Sequence, residues 1–282
     1  MAAKFERLVR FKAADGQIYY GEAGSDWESD LKGREVQIFS GLDPFDSNFK
    51  LLDKKAVISE VLSPLEKVPL TIGIGLNYRK HAEEANFPIP TFPVVFTKYS
   101  DTLAGPFEDI PINPEAKDLD YEGELSIVIG KDAKNISEDE DPLSYVLGYT
   151  VGNDVSSRYW QAPARSGGQH GPAKSFDKFG PIGPVIASPK AVVNPEGLRL
   201  RTWVNGELRQ DGNTDDLIFG IGAIIRHLAR GTTVRKGTVI MTGTPSGVAA
   251  FMQPAAWLRH GDTVSIEIER IGKISNKMVF ES

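Results

Sequence analysis

The stretch Asp120-Tyr121-Glu122-Gly123-Glu124-Leu125-Ser126-Ile127-Val128-Ile129-Gly130 reads as a buried strand that carries two carboxylates at its start. Side chains alternate across a strand, so Glu122 and Glu124 point the same way. Leu125, Ile127, Val128 and Ile129 make both faces apolar further along, which places the start of the strand near a core. Two like charges aimed into one apolar site are costly unless a cation or a proton compensates them. A third carboxylate, Asp154, closes a second apolar run that begins at Tyr145. A hard divalent ion held by oxygen ligands answers that need: Mg2+, with Mn2+ or Ca2+ as alternatives. The competing reading is surface charge on an exposed sheet face, and the apolar neighbours weaken it.

The chain has 282 residues, enough for one large domain or a small one plus a medium one. Thirty-two Lys and Arg against 38 Asp and Glu give a net charge of −6, which argues against general attraction to nucleic acid or anionic membranes. There is no cysteine, so disulfides, zinc–thiolate sites and cysteine nucleophiles drop out together. The four histidines, His81, His170, His227 and His260, are scattered and form no His-x-x-x-His pair. No apolar run is long enough to span a bilayer. The opening Met1-Ala2-Ala3-Lys4-Phe5-Glu6-Arg7 has no signal-peptide core, so a cytoplasmic location is expected.

Two units are expected. Residues 1–65 read as a small β domain: strands at Leu8 to Phe11 and Ile18 to Glu22 flank the turn Asp15-Gly16, and Glu35 to Phe39 and Ala56 to Val61 follow. Residues 66–282 open with a strand at Thr71 to Gly75 and a short helix from Tyr78 to about Ala85. Pro88, Pro90 and Pro93 then force an extended loop before a strand at Val94 to Lys98. Gln161 to Lys178 reads as a glycine-rich polar loop of the kind that covers active sites. Leu198 to Gln210 is a hairpin around Asn205-Gly206. The one long helix expected is Asp215 to Arg230, with Leu217, Ile221, Ile224, Ile225 and Leu228 on one face, Thr214 or Asp215 as its cap and Gly231 at its end. Val239 to Thr242 and Thr263 to Glu269 are further strands. The class is β-rich α+β; helices are too sparse for a Rossmann sheet.

Other residues carry chemistry only in combination. His81 and Glu84 share a helix face, an arrangement that orients an imidazole and raises its basicity. Lys174 follows the glycine-rich loop and can face an oxyanion. Arg158 and Gln161 lie shortly after Asp154 and can contact whatever a metal there holds. Thr242-Gly243-Thr244-Pro245-Ser246-Gly247 ends a strand in a polar loop suited to a carboxylate, and lacks the lysine of a P-loop. Taken alone, the His81–Glu84 pair and Lys174 read better as solvated surface groups, and Arg158 reads equally well as one.

Their order and spacing are more specific. Gly73-Ile74-Gly75-Leu76-Asn77-Tyr78 with His81 and Glu84, Asp120-x-Glu122-x-Glu124-Leu125, Asn153-Asp154-Val155-Ser156-x-Arg158, Lys174-Ser175-Phe176-Asp177, Pro181-Ile182-Gly183-Pro184, Val204-Asn205-Gly206-Glu207 and Thr242-Gly243-Thr244-Pro245-x-Gly247-Val248 together resemble the fumarylacetoacetate hydrolase superfamily over roughly residues 70–282. The resemblance is to its shorter domain-containing members. It implies a mixed β-sandwich roll, a homodimer, metal ligands at Glu122, Glu124 and Asp154, a His81–Glu84 dyad, an active-site Lys174, and substrate contacts from Arg158, Gln161 and Thr244. One position departs: Tyr159 follows the arginine where the family often has an acidic residue.

The resemblance also implies a Mg2+-dependent enzyme acting on small 2-oxo acids. Hydrolytic C–C cleavage of an acylpyruvate-type substrate through a metal-stabilised enolate is the favoured expectation, because both dyad members are present. Decarboxylation or keto–enol tautomerisation of an oxaloacetate-type acid is the alternative, since the same enolate serves both. A catalytically silent scaffold with the same fold is the third reading.

Overall fold

The computed structural model describes residues 3–25 and 31–281; Met1 and Ala2 of the N-terminal reading lie outside them. Two mixed sheets dominate. The larger has eleven strands, and its path runs Ile18–Glu22, Glu35–Phe39, Leu51–Val61, Arg7–Ala13, Gly180–Ala187, Val146–Asn153, Gly123–Ile129, Val239–Met241, Thr71–Gly75, Val94–Lys98, with Leu103–Ala104 beside Gly180–Ala187. The smaller has five: Glu207–Asn213, Arg199–Val204, Thr263–Ile268, Gly272–Phe280, Ile110–Ile112. The first four strands of the chain are not detached from the rest. Arg7–Ala13 pairs antiparallel with Gly180–Ala187 and makes them an extension of the larger sheet.

One apolar core joins the sheets. Leu125, Ile127 and Val151 from the larger pack in the same buried cluster as Leu200, Ile266 and Ile274 from the smaller. The strands Gly123–Ile129 and Val146–Asn153 are buried along their whole length, as expected for strands covered on both faces. They pair antiparallel with Glu124 opposite Gly152. That register brings Glu122, one residue before its strand, beside Asp154, one residue after its own; Asp154 N–H donates to the Glu122 carbonyl at 2.9 Å.

Two local expectations shift, and one strand was not foreseen. The long helix spans Ile221–Ala229, with a separate 3-10 turn at Thr214–Asp216. The intervening Leu217 to Gly220 is drawn out by the loop before His81: Ile218 and Phe219 donate their N–H groups to the backbone and side-chain oxygens of Asn77. The helix is capped from afar, by Glu196 Oε1 on Ile221 N–H at 2.7 Å. Second, the segment Gln161 to Lys178 is not one loop: after the turn Arg158–Gln161 it carries the helical turns Pro163–Ser166 and Gly171–Lys174, each with a proline at its first or second position. The unforeseen strand is Gly180–Ala187, fully buried and central despite two prolines. The ladder to Val146–Asn153 is irregular between Tyr149 and Val151, and Pro184 sits at that interruption, where no N–H is demanded.

Candidate metal and substrate site

Glu122, Glu124 and Asp154 converge. One carboxylate oxygen from each lies within 4.8 Å of the others, and all three residues are buried. Among the described residues, cationic side chains reach only two of the three. Lys174 Nζ stands 2.8 Å from Glu122 Oε2 and 2.7 Å from Asp154 Oδ2. Lys98, wholly buried on the edge strand Val94–Lys98, takes Asp154 Oδ1. Arg158 Nη2 is 2.8 Å from Glu122 Oε1, an ion pair outside hydrogen-bond alignment. Arg158 Nε donates to Asp120 Oδ2 at 2.8 Å. Four buried carboxylates thus face three cations, and Glu124 is the carboxylate left with only a backbone donor, Gly243 N–H at 2.7 Å.

The electrostatics follow from that count. Burial pushes the Glu122 carboxyl up, but Lys174 and Arg158 outweigh it and hold the group well below the usual carboxylate range. Burial, with Asp154 and Glu122 beside it, drives the Glu124 carboxyl far above that range. Burial lowers Lys98, against the pull of Asp154, while Asp154 and Glu122 overcome the burial of Lys174 and raise it. Glu124 therefore calls for a proton or a further cation. The donor set is oxygen only, which suits Mg2+, Mn2+ or Ca2+ and not a soft metal.

Two close approaches build the walls. Gly243 has φ +106°, and a Cβ there would lie 2.7 Å from Asn77 Cβ, so the loop carrying the Glu124 donor can sit against the segment before His81. A Cβ on Gly73 would fall 2.1 Å from the Phe96 ring, which lies over that glycine 5.1 Å from Lys174 Nζ.

The dyad is assembled on the helix Arg79–Glu84. His81 Nδ1 is 3.0 Å from Glu84 Oε2, and Glu84 Oε1 accepts from Gly247 N–H at 3.0 Å. A carboxylate on Nδ1 assigns the proton to that nitrogen and leaves Nε2 as the free base. The imidazole is buried and meets Phe251 edge-on at 5.6 Å. The same short loop gives Gly243 N–H to Glu124 and Gly247 N–H to Glu84, so dyad and triad share one site.

The family profile described as "Fumarylacetoacetate (FAA) hydrolase C-terminal" matches residues 71–279. The chain belongs to the fumarylacetoacetate hydrolase family. It is 40% identical over 234 residues to oxaloacetate tautomerase fahd2 of Xenopus laevis, covering 83% of this chain and 72% of that one. Its name places that relative in mitochondria, which differs from the cytoplasmic expectation for this chain. The fold matches 2-hydroxyhepta-2,4-diene-1,7-dioate isomerase of Mycobacterium marinum with a TM-score of 0.81 and 32% identity over 98% of this chain and 99% of that one. It matches 5-carboxymethyl-2-hydroxymuconate delta-isomerase of Mycobacterium smegmatis with a TM-score of 0.80 and 32% identity, over 98% and 100%. Among the described residues no helix is long and apolar enough to cross a membrane.

The three substrate contacts implied by the family are not equally free. Gln161 Oε1 accepts from Arg158 Nη1 at 2.7 Å, which leaves the Gln161 amide N–H groups for a ligand. Thr244 Oγ1 is committed: it donates to the Gly123 carbonyl at 3.0 Å and accepts from Gln210 Nε2 at 2.8 Å. It has no proton left to give a substrate. Tyr159 forms a clamp with neighbouring cations, Arg165 at 3.7 Å and Lys117 at 5.2 Å from its ring centre.

Sequence reasoning missed Lys98, Asp120 and Gln210. Lys98 alternates with inward Phe96 on its strand, and that period of two was the available signal. Gln210 bridges Gly123 N–H, Thr244 and the Pro245 carbonyl across the sheets, from a hairpin that looks solvent-facing in sequence.

Proposed function

We propose that this chain is a divalent-metal-dependent keto–enol tautomerase of an oxaloacetate-type 2-oxo acid. The observation that carries the reading is the buried triad in which Glu124 has no cationic side chain while Lys174 bridges the other two carboxylates. Glu122, Glu124 and Asp154 would hold a divalent ion, which would supply Lewis acidity beside a 2-oxo acid. The printed names of the relatives, a tautomerase and two isomerases, support proton transfer over C–C hydrolysis.

The chain's own groups account for the proton. Ketonisation takes a proton from the enol oxygen and places one on C3. His81 Nε2 accepts the first and returns one to carbon, while Glu84 stabilises the imidazolium in between. Lys174 donates to the negative oxygen that forms meanwhile. The Gln161 amide orients the substrate carboxylate beside Arg158.

C–C hydrolysis of an acylpyruvate remains the second reading, favoured by one observation, the 3.0 Å His81–Glu84 contact, which equally suits activation of water. The test follows enol decay of oxaloacetate and cleavage of an acylpyruvate with wild type and His81→Ala. Enol decay faster than cleavage, and falling by roughly 100-fold or more in the variant, is expected. Cleavage outrunning tautomerisation would turn the assignment to the hydrolase, and enol decay indifferent to His81→Ala would remove the imidazole from the mechanism.

We also propose that the protein is a homodimer. Val94–Lys98 ends the larger sheet with one side unpaired, and Phe87, Ile89, Phe92, Val95 and Tyr99 are exposed on and around it. An open apolar edge is an aggregation hazard unless covered, and a strand edge can pair antiparallel with its own copy about a two-fold axis. Sedimentation should give twice the chain mass for wild type and the chain mass for Phe92→Asp; a monomeric wild type would rule the dimer out.

A further inference from the structure

Asp120 touches neither the triad nor the dyad, yet it is wholly buried with both oxygens doubly used. Oδ1 accepts from Tyr121 N–H at 2.9 Å and Ala249 N–H at 2.8 Å. Oδ2 accepts from Arg158 Nε at 2.8 Å and Ala250 N–H at 3.1 Å. The last residue of the turn Ala249–Phe251 is the phenylalanine whose ring stands edge-on to His81. Just before that turn, Gly247 N–H holds Glu84. One carboxylate therefore fixes the arginine at one side of the site and the wall behind the imidazole at the other.

We propose that Asp120 is a positioning residue that sets the attitude of His81 through the Ala249–Phe251 turn while holding Arg158. The proposal rests on the reading of His81 as proton carrier. Only a carboxylate can fill the place, because each of its oxygens meets two N–H donors. An asparagine would present its own NH2 to one of those pairs, donor against donor, whichever way it turned. The turn or the guanidinium must then move, and the loss reaches catalysis without any change at a reacting atom.

A double-mutant cycle reads this directly. Asp120→Asn is expected to lower kcat for oxaloacetate ketonisation about tenfold with His81 present and less than twofold in a His81→Ala background. KM should rise in both backgrounds, through Arg158, and bound metal should be unchanged. Phe251→Leu provides a second cycle that needs no residual His81→Ala rate: it should lower kcat alone, and less than additively with Asp120→Asn. Equal kcat losses with and without His81, together with full additivity with Phe251→Leu, would reduce Asp120 to a folding residue and overturn the proposal. A His81→Ala enzyme as fast as wild type would instead defeat the functional reading on which it rests.

Discussion

Replacing Lys174 with methionine is expected to stop turnover and to tighten metal binding at the same time. Methionine keeps an unbranched apolar stem out to the ε position and removes the ammonium. Turnover should fall by about 10²- to 10³-fold, the usual cost of losing one donor to a developing oxyanion. The effect on the metal has the opposite sign because Lys174 draws on the same two carboxylates as the triad, Glu122 at 2.8 Å and Asp154 at 2.7 Å. Removing the lysine removes a competitor and one positive charge from the site.

Without metal, the variant should suffer. Breaking a buried ion pair by deleting one partner costs about 3–5 kcal/mol, which for a chain of this size is a melting temperature lower by roughly 10 °C. Saturating Mg2+ should restore much of that loss, because it neutralises the stranded carboxylates and binds only the folded state. Calorimetric titration and thermal melts in chelator and in Mg2+ check both halves. Weaker Mg2+ binding in Lys174→Met would show that the lysine supports the ion rather than opposing it.

The carboxylate strand and its partner before Asp154 were readable as short continuous apolar runs with carboxylates at their ends, and the dyad from the three-residue spacing of His81 and Glu84. Their convergence was readable only from several motifs in order. What escaped was decided by contacts distant in sequence. Asp120 and Gln210 act through backbone N–H groups more than thirty residues away, which no local pattern announces. The start of the long helix moved because Asn77, far upstream, takes the N–H groups of Ile218 and Phe219. Gly180–Ala187 was hidden by its prolines, which local propensity counts against a central strand and which an interrupted ladder tolerates. Thr244 looked available as a ligand donor and is occupied within the protein, a fact that depends on the opposite sheet.

The second large effect concerns Glu124→Gln, which separates metal binding from folding. Burial, with Asp154 and Glu122 beside it, raises the Glu124 carboxyl above its ordinary value, which favours its neutral form when no metal is bound. Glutamine copies that neutral form and still accepts from Gly243 N–H. The metal-free variant should therefore melt within about 2 °C of metal-free wild type near neutral pH. Its Mg2+ affinity should fall by roughly 100-fold or more, since one of three anionic ligands is gone.

The pH dependence has a definite sign. Mg2+ requires the ionised carboxylate, so binding to wild type displaces the Glu124 proton. Affinity should weaken by up to about tenfold per unit as pH falls below the raised value, and strengthen as pH rises toward it. In Glu124→Gln that component of the pH dependence should vanish.

The most direct measurement is the oxaloacetate ketonisation rate of chelator-stripped protein as Mg2+ is added back, in wild type and Glu124→Gln, with bound metal counted in the same samples. The expected result is a wild-type rate that rises with occupancy to one ion per chain, and a variant that folds normally but neither holds the ion nor recovers the rate. A wild-type rate untouched by stripping, or a Glu124→Gln protein with one ion per chain and full activity, would contradict a function built on the Glu122–Glu124–Asp154 triad.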